Sequence, residues 1–191
     1  MSLRLAVATE DFGTSLKQSI GQASRLEVSG LRLNTRTELD VENATSTALR
    51  QIQHYVAERQ MTVAGLLCPT KHALYAPSHL EPRLNVIRQS MTLAGKLQTR
   101  ELILRCGHIP DPDMDGITPT QIATSIDEKA NPFSFETASS TNTPTPATEF
   151  STLCEILNDL TRHGNHIGCT INLQLPEFNL SRITKLLDRV K

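Results

Sequence analysis

Aromatic side chains are scarce in this chain, which has 191 residues, no tryptophan, two tyrosines and five phenylalanines. So few aromatic rings argue against a stacking platform for single-stranded nucleic acid. The sequence also lacks GxGxxG and GxxxxGKS/T patterns, which argues against a Rossmann or P-loop nucleotide-binding enzyme. A formal net charge of −1 gives no general attraction to nucleic acid or to an anionic membrane. Nucleic acid is therefore not an expected partner.

The cysteines form no CxxC pair, and they lie far apart at Cys68, Cys106, Cys154 and Cys169. The sequence therefore predicts neither a zinc ribbon nor a redox motif, and we expect reduced thiols that serve packing. No apolar signal core precedes the first predicted strand, and no apolar run approaches the ~20 residues that a membrane-spanning helix needs. These features predict a soluble, cytoplasmic protein with no membrane partner.

Short apolar runs alternate with helical patterns along the whole chain. The runs predict strands at residues 3–8, 30–34, 62–68, 101–107 and 169–175. A helical pattern follows each run, and Ser78 and Glu81 have the spacing of a capping box at the third helix. Consecutive βα units predict a parallel sheet, because parallel strands need crossover connections. Two architectures remain open, a TIM-barrel-like and incomplete (β/α)8 barrel or an open doubly wound five-stranded sheet.

The length suffices for one buried α/β core and is short for two, so we predict a single domain over residues 1–191. Residues from about 109 to 148 are rich in Pro, Thr, Ser and Asp, which predicts a long, flexible loop. Asp111, Asp113, Asp115 and Gly116 have the spacing of a calcium loop but lack the closing glutamate of an EF-hand. We interpret this run as a solvated acidic turn.

Polar side chains follow the predicted strands, whose carboxyl ends share one face of a parallel sheet. We predict a site there for a small polar or phosphorylated ligand. The candidate substrate-binding residues are Glu10, Arg36, Arg105 and Asn172, and the candidate catalytic residues are His72 and His108. Imidazole titrates near neutral pH, so either histidine could move a proton or bind a metal. The alternatives are two solvated histidines, and ion pairs of the two arginines with Glu10, Glu38 or Asp111.

The sequence resembles the sugar phosphate isomerase/epimerase family of xylose-isomerase-like TIM barrels in four stretches, LRLAVATEDFG, GLRLNTRTEL, TALRQIQHYVAERQMTVAGLLCPT and RLNVIRQSMTLAGKLQTRELIL. The likeness is one of layout and local sequence over nearly the whole chain. It implies a site at the C-terminal mouth of a barrel and metal-assisted proton transfer on a small carbohydrate or sugar phosphate. That superfamily also includes endonucleases that act on abasic DNA.

The resemblance further implies a divalent metal, Mn, Zn or Mg, held by carboxylates and histidine. The family pattern places one ligand, commonly a glutamate, at Gln174. A neutral amide brings no charge and is a weak ligand for a dication. Arg32 and Asn34 also stand where relatives often have an acidic residue. The chain ends after the fifth predicted helix, so the strands that supply the other ligands in the family are missing from this sequence.

Two functions therefore remain open at this point. One is a metal-assisted isomerase or epimerase, and the other is a non-catalytic binding or interaction domain that keeps the fold without the metal site. A five-stranded part of a barrel would also expose two unpaired strand edges. Assembly into a homo-oligomer would cover those edges.

Overall fold

The computed structural model describes residues 4–41, 43–113 and 145–191. The strands are β1 (Ala6–Ala8), β2 (Gly30–Asn34), β3 (Thr62–Cys68), β4 (Glu101–Arg105) and β5 (Thr170–Gln174). The helices are α1 (Leu16–Ser24), α2 (Ser46–Ala57), α3 (Leu80–Lys96), α4 (Pro146–Ile167) and α5 (Leu180–Arg189). Most of the predicted loop at 109–148, including Asp115 and Gly116, lies outside the described residues. In the described ranges, no helix combines the length and the apolar character needed to cross a membrane.

The five strands form one parallel sheet in which the spatial order, β1-β2-β3-β4-β5, follows the chain order. Since crossovers between parallel strands are right-handed, a sequential order places successive helices on the same face of the sheet. A doubly wound sheet instead reverses its order at a switch point. The prediction of TIM-barrel-like βα units is confirmed, and the doubly wound alternative is wrong.

Leucines at alternate strand positions build the core beneath the helices. Leu66 on β3 lies opposite Leu102 on β4, and both side chains are fully buried. The helices cover this face with apolar side chains, among them Ile87 and Met91 of α3 and Leu153 of α4. Successive side chains of a strand point to opposite faces, so the residues between these leucines lie on the other face of the sheet.

That other face, here called the inner face, is largely polar toward the carboxyl ends of the strands. The strand register places Ile103 opposite Asn172, and Arg105 opposite Gln174. On β2 the inner face carries Arg32 and Asn34, which alternate with the core leucines. The sequence pattern that buries one face of the sheet therefore presents arginine and amide side chains on the other.

The start of α3 differs from the sequence prediction. No side chain caps α3, whose N-cap residue is His79 in a left-handed conformation with φ of 53°. The predicted capping box of Ser78 and Glu81 is therefore wrong. A capping box does form at α1, where Ser15 and Gln18 satisfy each other's backbone N–H groups. The first strand is also shorter than predicted.

The C-terminal helix is fastened to the segment after β4 by Arg182. Its guanidinium donates to the carbonyl oxygen of Ile109 at 3.2 Å and to Asp111 Oδ2 at 3.2 Å. Asp111 Oδ1 also accepts the backbone N–H of Asp113 at 3.1 Å. The hydrogen bond from Asp113, and then the charge of Arg182, hold the pKa of Asp111 below its ordinary value.

The close packing of α4 against the chain before β5 predicts opposite effects for two glycine substitutions. A Cβ at Gly164 would lie 2.5 Å from the carbonyl oxygen of Cys169, whereas a Cβ at Gly21 in α1 meets nothing within 4 Å. We expect Gly164→Ala to lower the free energy of unfolding by about 1–3 kcal/mol through overpacking. Gly21→Ala should raise it by about 0.5–1 kcal/mol through helix propensity. Urea unfolding measures both, and equal effects would contradict this packing.

The lowered pKa of Asp111 predicts a specific acid sensitivity. Ionised Asp111 stabilises the fold above the ordinary carboxyl pKa of about 3.9. This stabilisation is lost as the pH falls through the lower pKa of the folded state. We expect the urea midpoint of Asp111→Asn to fall less steeply below about pH 4 than that of the unchanged chain. Asp188→Asn, an exposed change on α5, is the control, and parallel curves for both variants would refute the role of Asp111.

Candidate functional site

Two cavities open around the carboxyl end of β3. The smaller one, here called the mouth cavity, has a volume of about 370 Å³. Its lining includes Thr70, Lys71 and His72 from the β3–α3 loop, together with Arg105 and Gln174 from the ends of β4 and β5. The larger one, here called the loop cleft, has a volume of about 810 Å³ and is lined by parts of segments 35–41, 68–72 and 79–87. Residues 70–72 border both cavities.

The mouth cavity is basic. Lys71, His72 and Arg105 supply its ionisable groups, and the described residues of its lining include no acidic side chain. Arg105 Nε donates to Gln174 Oε1 at 3.2 Å, and Thr70 Oγ1 donates to the carbonyl oxygen of Arg105 at 2.7 Å. These bonds hold the guanidinium at the edge of the sheet. Chemically, the arrangement suits an anion with several oxygen acceptors.

The acidic groups at the ends of β1 and β2 are already engaged by protein partners. Glu10 Oε1 lies 3.2 Å from Arg32 Nη2, and Glu10 Oε2 accepts the side-chain amide of Asn34. Glu38 Oε2 accepts the backbone N–H of Asn34 and the hydroxyl of Thr9, each at 2.7 Å. Both carboxylates therefore brace the ends of the first two strands.

The structure brings together three of the residues predicted from the sequence, His72, Arg105 and Gln174, at the mouth cavity. Arg36 lies in the loop cleft, which His72 also borders. Glu10 lies in the brace at β1 and β2. The remaining two predicted residues, His108 and Asn172, lie elsewhere.

Both ring nitrogens of His108 have partners near α5. Nδ1 lies 3.1 Å from Glu177 Oε1, and Nε2 lies 2.9 Å from Arg182 Nη1. An Arg nitrogen can only donate, so this contact makes Nε2 the acceptor and leaves the proton on Nδ1. Asn172 donates to Glu101 Oε2 at 3.2 Å, toward the amino end of the sheet. The structure therefore does not bring these two side chains into the mouth cavity.

The alternative ion pairs proposed for Arg36 and Arg105 are wrong. Glu10 pairs with Arg32, and Asp111 pairs with Arg182. The reason is geometric. Arg32 lies on β2, the strand next to β1, and Glu10 lies just after β1, so the two side chains are neighbours. Sequence order gave no sign of the contact between Asp111 and a helix more than seventy residues later.

All four cysteines are free and buried, which confirms their predicted packing role. Burial raises the pKa of Cys106 to about 11. Burial also raises the pKa of Cys68, although a hydrogen bond from Ser90 acts in the opposite direction. Such thiols remain protonated at neutral pH and are weak nucleophiles and weak metal ligands.

The described residues do not fit a divalent metal. Within the described ranges, no group of three or more His, Cys, Asp or Glu side chains could hold one. The oxygen of Gln174 already accepts a bond from Arg105. A dication at this position would face that guanidinium and the ammonium group of Lys71, which repel it.

Sequence reasoning missed two basic residues, Lys71 and Arg83. Lys71 lies three residues after the end of β3, in the loop that borders both cavities, so its position after a strand was a usable signal. Arg83 lies in the first turn of α3, where a helical pattern predicts only an amphipathic surface. Its place in the loop cleft depends on tertiary packing and had no signal in the sequence.

No family model matches the sequence, and none of the curated proteins matches it. Solved structures do match, and they include xylose isomerase domain proteins, a sugar phosphate isomerase/epimerase and a D-psicose 3-epimerase. Their sequence identity to this chain is low, so the likeness concerns the fold.

A xylose isomerase domain protein from Planctomyces limnophilus is 11% identical, with a TM-score of 0.64 over 90% of this chain and 54% of its own. D-psicose 3-epimerase, solved in the presence of D-fructose, is 9% identical, with a TM-score of 0.57 over 88% of this chain and 51% of its own. A xylose isomerase-like TIM barrel protein from Mycobacterium smegmatis, in complex with magnesium, is 10% identical, with a TM-score of 0.58 over 90% of this chain and 51% of its own.

The chain spans about half the length of these three structures. The matched part contains the five parallel strands in sequential order and the helices between them. This agreement confirms the predicted resemblance at the level of architecture. The chain therefore has the fold of the xylose isomerase-like and sugar isomerase/epimerase TIM barrels, over five consecutive strands of the barrel sheet.

Proposed function

We propose that this chain binds a small phosphorylated carbohydrate in the mouth cavity, as a binding domain that needs no metal. The observation that carries the proposal is the lining of that cavity, which combines Lys71, His72 and Arg105 with no acidic side chain among its described residues. A site built for a dication needs negative oxygen ligands. A site built for a phosphate needs positive charge and N–H donors.

Arg105 is the residue best placed to contact the phosphate. Among the described residues its guanidinium bonds only to Gln174, through Nε, which leaves the two terminal nitrogens for a ligand. Two parallel N–H groups of one guanidinium match two oxygens of a phosphate. Lys71 and His72 would approach the same group from the β3–α3 loop.

The sugar hydroxyls would find polar partners in the same cavity. The amide of Gln174 can donate as well as accept, and Thr70 offers a hydroxyl oxygen. A volume of about 370 Å³ suits a ligand of small size. The fold-likeness to an epimerase solved in the presence of D-fructose supports a carbohydrate as the ligand.

A second candidate function is metal-assisted isomerisation or epimerisation of the sugar. Its support is the likeness to a barrel solved in complex with magnesium and the position of His72 in the mouth cavity. His72 could move a proton there. The described residues do not supply a metal site, and the binding function therefore has the stronger support.

The binding proposal predicts a dependence on the phosphate group. We expect isothermal titration calorimetry to show binding of D-ribose 5-phosphate and weaker binding of D-ribose. Arg105→Gln should weaken binding of the phosphate ester by about tenfold or more, because it removes a charge-assisted contact. Arg162→Gln is the matched control, since Arg162 is an exposed residue near the end of α4. Equal binding of ribose and its phosphate, or no effect of Arg105→Gln, would refute the proposal.

Two further measurements on the same samples test the isomerase alternative and the oligomeric state. Exchange of the C2 proton of D-ribose 5-phosphate with deuterium, in the presence of Mg²⁺ or Mn²⁺, would support the isomerase instead.

Sedimentation gives the mass of the binding unit. We propose a homo-oligomer, because β1 and β5 are the edge strands of the described sheet and Phe178, in the segment after β5, is 81% exposed. A purely monomeric protein at all concentrations would contradict that assembly.

A further inference from the structure

The loop cleft is the larger of the two cavities and lies apart from the inner face of the sheet. It reaches Cys68 and Ile87, which belong to the core between β3 and α3. Arg105 and Gln174, which define the mouth cavity, do not line it. Its volume of about 810 Å³ falls in the range of small-molecule sites. The cleft is therefore a separate space on the helical side of the strand ends.

One wall of the cleft carries a half-buried cation, Arg83. Its Nη2 donates to the carbonyl oxygens of Leu74, at 3.4 Å, and Ala76, while Nε is buried with no partner among the described residues. Arg83 forms no ion pair with a described carboxylate. Carbonyl groups orient the guanidinium but do not neutralise it. A partly desolvated charge without a counterion favours the arrival of an anion.

Both carboxylates of the cleft accept hydrogen bonds from groups other than Arg83. Glu38 is held toward β1 and β2 by Thr9 and the backbone of Asn34. Asp40 accepts the backbone and side-chain N–H groups of Asn43 at 3.2 and 2.9 Å. Among the described residues of its lining, the cleft also contains Arg36 and Lys71, so with Arg83 it has three cations and two carboxylates.

The cleft also has an apolar part. Val86 is 36% exposed although it is a large aliphatic residue, and it lies beside Ile87 and Pro82. Leu39 and Val41 line the opposite side from the β2–α2 loop. An apolar wall with a few convergent polar groups is the usual composition of a ligand site.

From these contacts we infer that the loop cleft binds an apolar small molecule that carries one anionic group, such as a carboxylate, a sulfonate or a phosphate monoester. The anion faces Arg83 and Arg36, and the apolar body lies against Val86, Pro82 and Leu39. This site takes a different class of ligand from the sugar phosphate proposed for the mouth cavity, and it does not depend on that proposal.

A pair of fluorescent probes that differ in charge tests this inference. 1-Anilinonaphthalene-8-sulfonate carries an aromatic body and one anionic group, whereas N-phenyl-1-naphthylamine has a similar body without the charge. We expect saturable binding of the sulfonate to the folded chain, and weaker binding of the amine. Arg36→Gln and Arg83→Met should each weaken binding of the sulfonate by about tenfold, because each removes one charge-assisted contact. Neither substitution should change the affinity of the uncharged amine.

The two arginine variants distinguish the loss of a charge from the loss of the cleft's structure. Arg83→Met also removes two bonds to backbone carbonyls, so a loss of both probes would point to a collapsed cleft. Arg36 is exposed, so we expect Arg36→Gln to leave the fold intact. No saturable binding of the sulfonate, or equal effects of Arg36→Gln on both probes, would overturn the inference. Arg162→Gln is the control. Because Lys71 borders both cavities, full displacement of the sulfonate by excess D-ribose 5-phosphate would show one shared anion site and would also overturn the inference.

Discussion

The burial of one face of a parallel sheet is the constraint on which the rest of this structure depends. Leu102 and Leu104 must point toward the helices, because their burial is the main source of stability for β4. The period of two along a strand then leaves Ile103 and Arg105 on the inner face. The sequential strand order repeats this division across the sheet. The candidate site is thus a consequence of which residues are not needed for the core.

The charges on that inner face support the anion site that we propose. Glu10 is neutralised by Arg32, and Gln174 is occupied by Arg105. A carboxylate paired with an arginine has little remaining attraction for a dication, while a guanidinium at the open edge attracts anions. The likeness to isomerases and epimerases defines the architecture, and the local charges define the ligand that we propose.

The sequence predicted the fold better than the site, for a physical reason. Alternation along β2 and β4 and the helical stripe of α3 are local properties, so the βα units were recognisable. The placement of Arg105 beside Gln174 followed from strand ends that share one edge. By contrast, His108 contacts Glu177, which precedes α5, and Arg182 within α5. These contacts join distant parts of the chain. The left-handed His79 likewise stands at the start of α3, where a side-chain cap was predicted.

The central claim is that the mouth of this barrel sheet is an anion site and not a metal site. Elemental analysis of the chain, purified without chelator and again after incubation with manganese and zinc, tests it most directly. The account predicts only trace metal under both conditions, since no described group of carboxylate, imidazole or thiolate ligands could hold an ion. Retention of about one metal ion per chain after dialysis, as expected for a built metal site, would contradict it.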